Sequence, residues 1–94
     1  MNLQLALNSQ YFDEIKSGEK KEEFRLCTDY WKKRLVGREY DYLILTKGYP
    51  KKDDASRKMQ FKYDGYEIKE INHPHFFKKP ALVYAIRINK VNRL

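Results

Sequence analysis

The chain has 94 residues, enough for one small domain and no second core. Twenty Lys and Arg against thirteen Asp and Glu leave a net charge of +7, and the surplus is uneven: nine cations face eight anions in residues 1–47, eleven face five in 48–94. A single cysteine, Cys27, excludes an intrachain disulfide, and no segment approaches the roughly 20 apolar residues of a membrane span, so a reducing, cytoplasmic setting without a membrane partner is expected.

Leu3, Leu5 and Leu7 alternate with Gln4 and Ala6, the period of a strand with one buried face, and Met1 to Leu7 lacks the charged start of a leader. Asn8 or Ser9 can then cap a short helix that presents Tyr11, Phe12 and Ile15 on one side and stops at Gly18. From Lys20 to Leu26 the alternation resumes, with Phe24 and Leu26 expected to face the core and Glu23 and Arg25 to share the opposite face.

Thr28 or Asp29 can cap a second short helix anchored by Trp31 and Leu35. Residues 40–46 are apolar on both parities, as an interior strand requires, and Gly48-Tyr49-Pro50 ends them before a charged loop. Met59, Phe61 and Tyr63 alternate with polar residues up to Asp64-Gly65, which predicts a tight hairpin into a strand through Tyr66 and Ile68. Ile71 falls out of that phase, which predicts a bulge near Lys69 or Glu70. Leu82, Tyr84, Ile86 and Ile88 share one parity in the closing strand. Five or six strands with two short helices at this length predict an α+β, mostly β domain over residues 1–94 whose sheet curls into a small barrel.

The chemistry-bearing residues concentrate after the first helix. Lys20 lies at the turn, and Glu23 and Arg25 point the same way from the next strand, so their long side chains can converge on one pocket. Glu23 can accept hydrogen bonds from an exocyclic amine, Arg25 can offer a planar fork to a carbonyl or phosphate, and Lys20 can hold a phosphate or serve as a general base. The plainer alternative is an ordinary same-face ion pair beside a solvated lysine.

Gly18, Lys20, Glu23 and Arg25 fit the pattern G-x-K-x-x-E-x-R, and with it the chain resembles the ASCH domain family of the PUA-like group. The resemblance implies a small PUA-like mixed β-barrel, a ligand cleft lined by Gly18, Lys20, Glu23 and Arg25, and an RNA or nucleotide-like partner without a cofactor. It also implies an enzymatic alternative, since some members remove acyl groups from modified cytidine or cleave RNA. Lys20 and Glu23 would then be catalytic, as a general acid and base. That branch carries a Thr where this chain has Glu23, and its further carboxylate has no clear counterpart, Glu67 and Glu70 being the nearest choices. A protein-binding adaptor using the aromatic surface is a third option.

Outside that pattern, Lys47, Tyr49, Lys51, Lys52, Arg57, Lys58 and Lys62 mix cations with an aromatic, as a surface that tracks phosphates and stacks a base would. A solvated face that keeps the domain soluble accounts for them equally well. His73 and His75 flank Pro74, but no further ligand stands at convincing spacing, so no metal site is expected; Cys27 reads as packed rather than catalytic.

Overall fold

A computed structural model describes residues 1–51, 54–72 and 80–94. The chain is α+β and mostly β: β1 (Asn2–Leu7), α1 (Ser9–Ser17), β2 (Glu22–Leu26), α2 (Asp29–Leu35), β3 (Tyr42–Lys47), β4 (Lys58–Lys62), β5 (Tyr66–Ile71) and β6 (Ala81–Arg87). The described residues also include single 3-10 turns at Ala55–Arg57 and Lys90–Asn92. No helix among the described residues is long and apolar enough to cross a membrane.

The strands form two three-stranded sheets, ordered β1-β3-β4 and β2-β6-β5. In the first, β1 runs parallel to β3, with Leu3 beside Leu43 and Leu5 beside Leu45, and β4 lies antiparallel on the other edge. In the second, β6 is the centre strand and both neighbours run against it. The two centre strands are the ones whose sequences are apolar on both parities, because a central strand has two faces to bury. Both sheets and both helices feed one core, which includes Leu5, Phe12, Leu35, Leu45, Phe61 and Ile86. Among the described residues no ladder joins the two sheets into a closed barrel.

Several local expectations are met. Leu3, Leu5 and Leu7 are buried. The Asn8 side chain accepts from the Tyr11 amide at the start of α1, the Thr28 hydroxyl does the same for Trp31 in α2, and Gly18 ends α1 at φ +91°.

Others are corrected. The hairpin expected at Asp64-Gly65 does not form: β4 pairs with β3, and β5 pairs with β6 in the other sheet. Gly65, at φ +76°, makes a crossover between sheets, held by the Arg87 amide donating to its carbonyl at 3.0 Å. Two centre strands, each needing a partner on both edges, outweigh a local turn signal. The expected bulge is absent too, since β5 keeps an unbroken register against β6 from Tyr66 to Ile71. Leu82, expected inside with Tyr84 and Ile86, is 56% exposed.

The phase of β2 is also reversed. Glu23 is the buried residue of this strand, while Phe24 and Leu26 are half-buried and lie outside the main core. Opposed residues of antiparallel neighbours share a face, so Glu23 and Arg25 go with the core residues Ile86 and Tyr84, and Phe24 and Leu26 with Ala85 and Val83. The outer rim of β4 is covered by the C-terminal segment: Phe61 bridges to Arg93, and the Leu94 amide donates to the Gln60 carbonyl at 2.8 Å.

Where the sheets meet, Tyr63 packs edge-on against Tyr40 at 5.3 Å, and its hydroxyl is buried with no hydrogen-bond partner among the described residues. Burial first, then the neighbouring Tyr40 and Tyr66, push this phenol up to about 12, against a smaller opposing pull from Arg87. Its folded-state value exceeds the unfolded value of about 10, so the stability tied to the neutral phenol is complete below about pH 10 and drains away as pH rises toward about 12. Tyr63→Phe should therefore leave neutral-pH stability unchanged or raised by up to about 1 kcal/mol, and should flatten the alkaline decline, both read by denaturant unfolding.

Candidate functional site

The site begins at the end of α1. Gly18 turns the chain back, and the Lys20 amide donates to the Glu14 carbonyl at 3.1 Å, which returns Lys20 over the helix. The Lys20 ammonium then lies 5.0 Å from the centre of the Tyr11 ring and 4.4 Å from that of Phe24, a two-sided aromatic enclosure. From there it stands 3.7 Å from Glu23 Oε1.

Arg25 approaches the same carboxylate from the other side, its Nη1 3.5 Å from Glu23 Oε2. Its guanidinium is fixed independently, since Nη1 donates to the Phe24 carbonyl at 2.9 Å, Nη2 donates to the Ala6 carbonyl at 3.3 Å, and its plane lies over Trp31 at 5.3 Å. β1, β2 and α2 thus all hold it. Side-chain exposures of 3% for Glu23, 11% for Lys20 and 19% for Arg25 put the trio in the regime of buried ion pairs rather than surface ones.

Glu23 spends its oxygens unequally. Oε1 accepts from the Phe24 amide at 3.2 Å, whereas Oε2 is buried and has no hydrogen-bond partner among the described residues. Oε2 is closed to solvent and faces Arg25, so a ligand donor such as an amine or amide N–H would reach it only by displacing a neighbour, and the adjoining cleft is lined by Gly18 and Lys20 but not by Glu23 or Arg25. The adjoining Tyr11 phenol is pushed up by burial first and then by the charges of Glu23 and Glu14, so it stays a neutral hydroxyl at physiological pH.

The expected trio of Lys20, Glu23 and Arg25 is therefore brought together, with Gly18 setting the turn. Tyr11, Phe24 and Trp31, which enclose the two cations, were not anticipated as site residues. Their signal was present as aromatics on each element next to the charged strand.

The second set of expected residues is spread out. Lys47 turns to Asp13 at 3.1 Å, and Arg57 to Asp54 at 3.4 Å. Tyr49 is 96% exposed and lies with Gln4, Thr46, Pro50 and Lys58 around a shallow hollow. Lys51 and Lys62 are exposed, Lys62 at the other end of β4 from Lys58. Lys52, like His73 and His75, lies outside the described residues.

Among the described residues no three His, Cys, Asp or Glu gather as a metal site would need. Glu67 pairs with Lys69 at 3.5 Å, and its strand partner is Ala85, on the face opposite Glu23; Glu70 is exposed at the far end of the same ladder. Neither joins the trio. Cys27, expected to be packed, is instead exposed at the end of β2; the partial burial of its thiol still pushes it up, against a hydrogen bond with Tyr84, which is the reverse of what a nucleophile needs.

Comparison with protein-family models, with curated proteins and with solved structures returned no match.

Because removing one member of a buried ion cluster strands the others, Glu23→Ala should cost about 3 kcal/mol in denaturant unfolding. Combining Glu23→Leu with Arg25→Met should recover part of that loss; full additivity would mean that the two charges do not interact.

Proposed function

We propose that this chain is a PUA-like domain of the ASCH type that recognises RNA or a nucleotide-like ligand at Lys20, Glu23 and Arg25. The observation that carries the reading is the Glu23 carboxylate: it is buried between an ammonium and a guanidinium, and its Oε2, 3.5 Å from Arg25, makes no hydrogen bond among the described residues. A nucleobase with an exocyclic amine supplies a donor for that oxygen, and the Lys20 and Arg25 charges suit the carbonyl or phosphate groups that accompany it. The spacing of Gly18, Lys20, Glu23 and Arg25 supports the family reading. One mixed and one antiparallel sheet around one core, with β1 parallel to β3, are compatible with an open form of the barrel.

Recognition is favoured over turnover. Glu23 is already compensated by two cations and holds a main-chain amide, which suits an acceptor with a fixed role better than a group that must pass a proton back and forth. Tyr49, almost wholly exposed beside Lys58, is the stacking platform we assign to a strand of RNA leaving the site. The exposed free thiol of Cys27 fits the cytoplasm, where the reading places the protein.

The test is incubation with nucleosides, modified nucleosides and short single-stranded RNAs, followed by mass measurement of ligand and product. Bound ligand recovered at unchanged mass is expected; a product lost on Lys20→Ala would make the protein a hydrolase. Glu23→Gln should reduce the preference for cytosine or adenine over uracil by about tenfold, and an unchanged preference would remove Glu23 from base reading. Tyr49→Ala should weaken RNA by about 1–3 kcal/mol while sparing single nucleosides, as binding titrations would show.

A further inference from the structure

A cleft of about 480 Å³ opens beside the trio, between the end of α1 and the C-terminal 3-10 turn. Its floor is apolar, made by Ile15, Phe61 and Ile88, each no more than 6% exposed. Its walls are cationic: Lys16, Lys21, Arg87, Lys90 and Arg93 all line it, against the single carboxylate of Asp64 among the described lining residues. Lys20 borders it as well, but its ammonium is turned to Glu23.

Some cations elsewhere are paired with carboxylates, while others, such as Lys32 and Lys33 on α2, make no ion pair among the described residues but are not gathered in a cleft. Lys47 meets Asp13, Arg57 meets Asp54 and Lys69 meets Glu22. The five cations of the cleft make no ion pair among the described residues, although they come from three separate stretches of chain. Their mutual repulsion is uncompensated, and a concave surface of one sign focuses the field on whatever enters it.

The walls are also pre-formed. The Ile88 amide donates to the Lys21 carbonyl at 2.9 Å, Arg87 Nη1 donates to the Asp64 carbonyl at 3.1 Å, and Asn89 caps the 3-10 turn by accepting from the Val91 amide at 3.0 Å. The Lys90 side chain lies against the turn at Gly18, its ammonium 3.6 Å from where a Cβ would stand. The backbone of the walls is therefore set before an anion binds, and what remains to be ordered is the exposed lysine side chains.

The geometry points to this cleft as a binding site for the paired phosphates of a small ligand, of the class of a nucleoside diphosphate, separate from the Lys20, Glu23 and Arg25 site. The cationic rim takes the phosphates and the apolar floor takes the face of the sugar or base. The volume is within the range of about 300–1,000 Å³ usual for small-molecule sites. Phosphates could equally come from an RNA strand, and the experiment separates the two sources.

The full chain is titrated, by calorimetry or by amide shifts in NMR, with inorganic pyrophosphate, with a nucleoside diphosphate, and with a short RNA lacking terminal phosphates. Pyrophosphate and the diphosphate should bind, the diphosphate more tightly. Lys21→Ala with Lys90→Ala should weaken both by at least about tenfold, while Lys32→Ala with Lys33→Ala, which removes the same charge from α2, should change them by less than about twofold. Pyrophosphate carries no base edge, so its binding tests this cleft whether or not Glu23 reads a base. The proposal is overturned if neither diphosphate binds, if the two double substitutions weaken binding equally, or if only the RNA responds to the cleft substitutions.

Discussion

A carboxylate taken out of water must be given cations, and Glu23 organises its part of the molecule around that need. The compensation arrives from two directions. Lys20 reaches it because Gly18 folds the chain back across the end of α1, and Arg25 reaches it because the main chain of β1 and the ring of Trp31 hold its guanidinium in place. One buried charge thus ties together both helices and the edge strands of both sheets. Its energetic weight lies less in net stability, which buried ion pairs seldom add, than in the geometry that follows once each partner has a single satisfactory position.

That geometry leaves one oxygen unsatisfied. Folding alone would often be served as well by a neutral, well-packed side chain at position 23, so a buried carboxylate oxygen without a hydrogen bond calls for an explanation in use. Beside it, the chain builds a second region of opposite design, where cations gather without ion pairs among the described residues over an apolar floor. One site offers a fixed hydrogen-bond acceptor in dehydrated surroundings; the other offers diffuse positive field. A ligand carrying both a base edge and phosphates is the kind of molecule that uses such a pair.

Local chemistry was legible in the sequence wherever a signal did not depend on distant partners. Leu3, Leu5 and Leu7 announced β1, Asn8, Thr28 and Gly18 announced helix ends, and the doubly apolar residues of β3 announced a centre strand. The approach of Lys20, Glu23 and Arg25 could be read because all three lie within six residues. What failed was long-range. Hydrophobicity assigned Phe24 and Leu26 to the core, and only the register against β6 shows that Glu23 takes the inner face with its charge already matched. Asp64-Gly65 carries every mark of a hairpin, yet pairing was decided by the free edges of β3 and β6. The cations at 87, 90 and 93 were passed over because nothing in their spacing shows that the chain's end returns to the end of α1.

The bridge from Phe61 to Arg93 and the bond from the Leu94 amide to Gln60 engage main-chain groups along the open side of β4. Another polypeptide seeking to extend that sheet finds polar groups there already taken. On this flank the domain resists stacking into chains of molecules by means of its own backbone.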